Sequence, residues 1–589
     1  MIRQLAAIPR NLNPFRLTGP ILDKELRVSS RRKRNYVLRS VYLAILLLVV
    51  IMIWVEVVDS HYSSVTYRMS RLAGAGMLIT GIVVGCQFYI AQLLAAIMLS
   101  NSISDEIYHK TLGSLMSTPI NSFQIVVGKL LGKLLQLTLL LCLTLPILAI
   151  VRVFGGVPWA FLLRSFCVTM TAIIFAGLLS LNISIHNKHA YAVIISSIVL
   201  LFGLYVLLPL VAAWMAHECF DVHENTVFKW VSVANPLMMM QLLLAEMFSP
   251  HGMPFSSSIW PFNCLFMLGC SAVLFIRAFV VVRKKALRQA CGQLDTGPKK
   301  PSARKAARRA QIRRVRGKPL IWKELRRRAF NMGGVRKAIA LFLLIGGLLT
   351  TYYICAVEDN LDDTDTQAIY CMIFMILGIF CSTVLAATAI SSEKNSRTWP
   401  ALLSTLISSK QIVLGKMLGI FRRSFPVWTL LALHAVFFTI IGFIHPAAIF
   451  HISIVVIPAI ILVTSSGLFF SNKLKHTTSA VIANLAFCGF LWAGIPLIAG
   501  FLSILAHDDA LIELVASVNP FCHMVIILGE TAGKTHAAQH LSQFSYDWPS
   551  GNLPFAPTTI TLIVIAAASL IISFIFLAIT ANSLRRKVF

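Results

Sequence analysis

Acidic residues are scarce in this chain. Its 589 residues include 23 Asp and Glu against 52 Lys and Arg, and charged residues of both signs make up only 13%, about half the share of an average soluble domain. With 57% hydrophobic residues and a mean hydropathy of +0.79, the chain cannot cover its surface with polar groups. A water-soluble globular protein is excluded, and lipid is the solvent that fits. Acids are also missing from the middle of every long apolar run. An ionisable group at the bilayer centre costs a few kcal/mol and is kept mainly where function needs it. A carrier driven by a proton or sodium gradient would usually keep some, so their absence argues for an external energy source.

Other absences narrow the field further. There is no CxxC pair among the 12 Cys, which are scattered mostly through apolar runs, as at Cys86, Cys142, Cys371 and Cys488, and read as small apolar packing residues. No recognised nucleic-acid motif accompanies the net charge of +29, so no nucleic acid is expected as a partner. The basic residues flank apolar runs, where the positive-inside rule puts them, with anionic headgroups as their nearest partner. No nucleophile–base constellation stands out, and no loop is long enough for a catalytic domain. Gly529 to Thr535 resembles a phosphate loop but is one residue short of the required spacing. The stretch His217, Glu218, Cys219, Asp221, His223, Glu224 has metal-ligand residue types at a spacing that fits no standard zinc pattern. Neither a metal nor a cofactor is expected in this chain.

What is present is a series of apolar runs long enough to cross about 30 Å of hydrocarbon. They fall at 36–58, 72–100, 122–153, 159–185, 190–216 and 259–282, then at 336–357, 368–390, 411–443, 447–471, 478–505 and 557–581. The fold class expected is an all-α polytopic membrane protein with about 12 transmembrane helices. Residues 1–39 hold ten basic residues against Asp23 and Glu25, residues 283–318 hold fourteen against Asp295, and the tail carries Arg585, Arg586 and Lys587. All three are expected in the cytoplasm. The loop 358–367 has five acids and no base and is expected outside. The first apolar run begins too late and runs too long for a cleaved signal peptide, so it is expected to stay as a span.

The chain repeats itself. The segment Ile21, Leu22, Asp23, Lys24, Glu25, Leu26, Arg27 matches Leu320, Ile321, Trp322, Lys323, Glu324, Leu325, Arg326. ISDEIYHKTLGSLMSTPINSFQIVVGK (Ile103 to Lys129) matches ISSEKNSRTWPALLSTLISSKQIVLGK (Ile390 to Lys416) without a gap, with Glu106/Glu393, Thr111/Thr398, Leu115/Leu402, Thr118/Thr405, Gly128/Gly415 and Lys129/Lys416 among the identities. Further on Asn182 falls on Asn472, and Asn235-Pro236 on Asn519-Pro520. The domains expected are a first unit at 1–283, a basic cytoplasmic linker at 284–318 and a second unit at 319–589. Each unit has six spans with its ends inside, so the repeats are parallel, about an axis along the membrane normal.

Between the second and third spans of each unit lies a short polar stretch. Ser104, Asp105 and Glu106 supply an N-cap and first-turn acids. Leu112, Leu115 and Met116 recur at helical spacing, and Pro119 stops the helix. The product is a short amphipathic helix on a stiff bracket, suited to taking a push from a soluble partner.

This duplicated motif resembles that of type-2 ABC exporter permeases. The resemblance covers most of each half: an interfacial helix (about 14–33 and 319–332), six spans, a cytoplasmic coupling helix (about 101–121 and 391–409) and a re-entrant outer segment before the sixth span (Val233 to Phe248 and Val515 to Glu530). It implies that Glu106, Thr111, Leu115, Thr118 and Pro119 face one cytoplasmic ATPase and Glu393, Thr398, Leu402 and Thr405 a second, with Gly128, Lys129, Gly415 and Lys416 completing the coupling segments. Lys24, Glu25, Arg27, Lys323, Glu324 and Arg326 mark the interfacial helices. ATP and Mg would sit on the partner, and the chain itself would be non-catalytic, in the inner membrane. The second half departs from the pattern, since Leu406 replaces the expected proline and Pro400 falls inside the helix, which puts equal coupling of the halves in doubt. The apolar spans favour a hydrophobic or amphipathic cargo. The alternatives are a secondary carrier with two six-span halves and a membrane scaffold without transport.

Overall fold

A computed structural model describes residues 20–27, 31, 33–58, 65–108, 111, 121–187, 189–220, 223–248, 256–290, 317–326, 334–533 and 540–585. The described backbone is helical nearly throughout. It divides into two compact units, Met1–Gln311 and Ile312–Phe589, and the boundary falls inside the expected basic linker.

In the first unit the spans are Lys33–Val58, Val65–Leu99, Ser122–Cys142 running on into Thr144–Val151, Trp159–His186, Ala190–Phe202 continued by Leu208–Phe220, and Ser256–Ala290. In the second they are Gly334–Val357, Thr364–Thr388, Ser409–Ile441, Pro446–Lys473, Thr477–Gly489 continued by Ile495–Ala506, and Phe555–Ser583. Among the described residues eleven helices are long and apolar enough to cross a membrane. Gly334–Val357, at 24 residues, stands first in the second unit.

Local sequence sets where these helices begin. The third span of each unit starts on a polar residue with glutamine three positions on. Ser408 Oγ accepts from the Gln411 amide at 3.3 Å while the Ser408 amide donates to Gln411 Oε1 at 3.4 Å, a capping box. In the first unit the Asn121 amide donates to Gln124 Oε1 at 3.2 Å. The second and fourth spans meet where a side chain is missing. A Cβ at Gly177 would lie 2.9 Å from Leu99 Cδ1, and one at Gly467 2.5 Å from Ala386 Cβ. Small residues let helix backbones approach closely in lipid, where packing rather than water exclusion holds helices together. Around that contact the first unit builds a core from Leu99, Ile103, Val126, Leu141, Ala176 and Leu181. Leu163, Val273 and Phe574 point outward and stay more than 60% exposed, as lipid-facing side chains do.

Two features repeat beyond the spans. The fifth span is interrupted in both units by a five-residue π turn, Gly203–Leu207 and Phe490–Gly494. Before the sixth span each unit has a pair of short helices, Glu224–Ala234 with Pro236–Phe248 and Ala510–Ala516 with Pro520–Thr531. These pairs bend by 114° and 81° at their Asn-Pro steps. None of the four arms exceeds 13 residues, roughly 20 Å of helix, too short to cross alone.

The second unit carries an addition here. Between Thr531 and Phe555 it inserts an antiparallel hairpin, β1 (Ser545–Trp548) and β2 (Gly551–Pro554). Its Phe544, Tyr546 and Trp548 side chains are buried against the tops of the spans. Arg164 pairs with Glu246 of the short helix at 3.2 Å.

Candidate functional site

The matched motifs of the two halves converge on one structure, a bracket formed by the interfacial helix, the polar connection between spans two and three, and the base of span three. In the second unit the interfacial helix Pro319–Arg326 lies across Ser409–Ile441 where two glycines stand four apart. A Cβ at Gly415 would come 3.2 Å from Leu320 Cδ2, and one at Gly419 2.9 Å from Glu324 Cβ. In the first unit the helix 20–27 crosses at the equivalent pair. A Cβ at Gly128 would lie 3.1 Å from Ile21 Cβ, and one at Gly132 3.0 Å from Glu25 Cβ. A side chain at Gly419 would force its neighbour to shift, and at the other three positions the interfacial helix would have to give by a few tenths of an ångström.

Each crossing is then pinned by charge. In the second unit Lys416 is fully buried. Its Nζ donates to Glu324 Oε1 of the interfacial helix at 2.7 Å and to Glu393 Oε1 of the connection at 2.5 Å. Lys323 Nζ stands 3.9 Å from the same Glu393 oxygen, so two cations face two carboxylates. One ammonium thus ties three elements together away from water, where charge-assisted hydrogen bonds are strong and an unpaired charge is costly. In the first unit the same parts are wired differently. Lys129 Nζ meets Glu106 Oε1 at 2.6 Å and donates to the Ser102 carbonyl at 2.5 Å. Glu25 of the interfacial helix pairs instead with Lys133 at 3.4 Å.

The connection itself is a double bend rather than the single short helix expected at 391–409. Ser391–Asn395 and Trp399–Leu403 are separated at Arg397, whose φ is +56°. Pro400 opens the second piece instead of interrupting a helix, because its missing N–H would be unbonded in a first turn anyway. Thr398 closes the first piece. Its amide donates to the Glu393 carbonyl at 3.1 Å, and its hydroxyl reaches the same oxygen at 3.4 Å. The Thr111 hydroxyl donates to the Glu106 carbonyl at 3.4 Å, which repeats the arrangement. Lys394 bonds the Asn472 carbonyl, Ser471 Oγ accepts from the Ile390 and Ser391 amides at 3.0 and 2.9 Å, and Arg585 Nη2 donates to the Ile407 carbonyl at 2.8 Å. The bracket of the second unit is therefore tied to spans three and four and to the end of the sixth.

Glu106 and Glu393 each pair with the lysine on span three; Glu393 is buried, while Glu106 stays partly exposed. Lys129, Lys416, Gly128 and Gly415 are internal parts of the bracket. The surface of the connection in the second unit takes in Arg397, Thr398, Pro400, Ala401, Ser404, Thr405 and Leu406, with Leu402 half-buried. Leu406, where the first half has Pro119, is fully exposed. Thr111 is exposed in the first unit, while Leu115, Thr118 and Pro119 lie outside the described residues. Lys24 is exposed, Arg27 pairs with Asp23 at 2.9 Å, and the Arg326 guanidinium lies 4.4 Å over the Trp322 ring. Gly132, Gly419 and Lys133 escaped the sequence reading, although the glycine spacing in GKLLGK and GKMLGI was there to find.

No curated protein matches the chain. A family model described as ABC-2 family transporter protein matches it twice, at residues 20–287 and at 319–587. Each match takes in one interfacial helix, one bracket and the spans that follow. With nearly all of its length covered by these tandem matches, the chain belongs to the ABC-2 transporter family and is a membrane permease of an ABC transporter.

Proposed function

We propose that this permease exports a hydrophobic or amphipathic substrate from the cytoplasm, driven by ATP hydrolysis on two separate ABC ATPase subunits, one under each bracket. The carrying observation is the pinned bracket of the second unit. Lys416 holds three elements as one body, and that body ends in an exposed tip at Ser404, Thr405 and Leu406. An apolar side chain that no part of its own chain covers suits the groove of a soluble partner. A rigid mount lets motion of that partner reach span three without loss. Family permeases generally pair with an ABC ATPase.

Charge supports the orientation. Counting spans along the sequence puts both brackets on the side of the basic segments 1–39 and 283–318, which the positive-inside rule assigns to the cytoplasm. In this reading both termini lie in the cytoplasm and the chain sits in the inner membrane. ATP and its Mg would be bound by the ATPases, and this chain would supply the path and the lever.

The test is a complex of the chain co-expressed with its ABC ATPase. Leu406→Asp puts a carboxylate where an apolar contact is expected and leaves the Lys416 pin untouched. ATP hydrolysis stimulated by the permease should fall at least about ten-fold, the equivalent of about 1.4 kcal/mol of lost contact. Full stimulation in the variant would remove the tip from the docking surface.

A further inference from the structure

The fifth span is the only described span with a π turn, and each unit has one. Each turn is followed by a proline in the sequence, Pro209 in the first unit and Pro496 in the second. A proline inside a helix has no N–H to give to the carbonyl four residues back, and its ring clashes with that carbonyl. The carbonyls concerned are those of Tyr205 and Trp492. Widening the helix to π geometry relieves the clash, a common response at functional sites. It leaves two carbonyls in the middle of a span without the donor that a regular helix provides, and an unmatched backbone group is expensive in lipid.

Both carbonyls are met by the same residue of the same element. Asn235 Nδ2 donates to the Tyr205 carbonyl at 2.7 Å, and Asn519 Nδ2 donates to the Trp492 carbonyl at 2.9 Å. Each Asn sits at the bend of its short-helix pair and also caps the second arm. Asn235 Oδ1 accepts from the Leu237 amide at 2.9 Å, and Asn519 Oδ1 from the Phe521 amide at 3.0 Å. One side chain therefore does two jobs. Its oxygen starts the second arm, and its nitrogen replaces the N–H that proline removed.

The contact also sets the depth of the bend. Tyr205 lies eleven residues before Ala216, where the apolar span ends, or roughly 16 Å along the helix. The tip of the pair thus packs against the middle of the fifth span, as a re-entrant hairpin would.

We propose that Asn235 and Asn519 are positioning residues that latch a proline hinge in the fifth span of each unit, and that opening of the transport path bends this span at the hinge. The role in transport rests on the export reading above; the latch does not. Bending needs a place where the backbone ladder is already interrupted. Interior prolines interrupt it at Pro261, Pro426 and Pro458 as well, but only the π turns recur at the same place in both units among the described spans. The amide fixes the angle of the arm beyond the turn and carries the re-entrant hairpin with it.

The test separates the two ends of the side chain. Asn519→Ser keeps an N-cap oxygen for Phe521 and is too short to reach Trp492. Pro496→Ala returns an N–H to the Trp492 carbonyl and makes the latch unnecessary. Hydrogen exchange is followed in the full chain in nanodiscs, which requires no ATPase. In Asn519→Ser, exchange across 490–496 should speed up about ten-fold, the effect of one lost hydrogen bond, with 520–531 unchanged. In the double variant Pro496→Ala with Asn519→Ser, it should return to within about two-fold of the parent. Unchanged exchange in Asn519→Ser, or the same acceleration in both backgrounds, overturns the latch. Pro209→Ala with Asn235→Ser repeats the experiment in the first unit should the second-unit variants fail to fold. If the latch holds and the variants still open and transport like the parent, the hinge is structural and its role in transport is overturned.

Discussion

The two brackets are built from matching parts and wired differently. In the second unit Lys416 bonds both Glu324 and Glu393 at a buried site, with Lys323 3.9 Å from Glu393. In the first unit Lys129 holds Glu106 and Lys133 holds Glu25, all four side chains partly exposed. The difference traces to one position. Lys133 is matched by Ile420, so the second unit has no other lysine on that face of span three, and its second cation, Lys323, sits at the rim of the interfacial helix. Both brackets balance two carboxylates with two ammonium groups. One concentrates the attraction in a single buried node, and the other spreads it over two wetter pairs. Identical residues at Glu106/Glu393 and Lys129/Lys416 thus do not carry equal energetic weight.

Three substitutions measure that asymmetry, each read by unfolding of the purified chain in detergent. Lys416→Met has the largest expected effect. It leaves two buried carboxylates facing each other without their ammonium, and removing one partner from a buried charge network costs about 3–5 kcal/mol. Lys129→Met removes one charge-assisted pair at a partly wet site and should cost about 1–3 kcal/mol. Lys133→Ile, which copies the second unit's residue, breaks a longer, partly exposed pair and should cost less than about 1 kcal/mol. Equal losses for Lys416→Met and Lys129→Met would erase the distinction between the brackets. A loss for Lys133→Ile as large as for Lys129→Met would show that the two lysines act as one node after all.

The repeat was legible because it is written in letters. Ile103 to Lys129 and Ile390 to Lys416 align without a gap, and the span boundaries followed from runs of apolar residues whose ends carry charge. What the letters concealed was direction. Glu106 and Glu393 recur at a polar turn, which reads equally well as a surface for a partner or as an internal pin. Only the lysine 23 residues on, brought back by the fold to 2.5–2.6 Å, reveals the pin. The two-piece connection at Ser391–Asn395 and Trp399–Leu403 was hidden for a similar reason. Pro400 reads as a helix breaker until the positive φ at Arg397 makes it a helix start. The pairing of Pro496 with Asn519 lies 23 residues apart in sequence and has no local signature at all. The β1–β2 hairpin of the second unit was absent from the sequence reading because its strands are only four residues long.

The central claim is that the brackets, and the second unit's tip above all, receive the ATPase. A photo-crosslinking residue placed at position 406, in the chain co-expressed with its ABC ATPase, tests this most directly, with the same residue at Leu541 as a control, because Leu541 is also exposed but lies beside the β hairpin on the opposite face. The account predicts a crosslink to the ATPase from position 406 and none from 541. A crosslink from 541 with none from 406 would put the ATPase on the other face and contradict it.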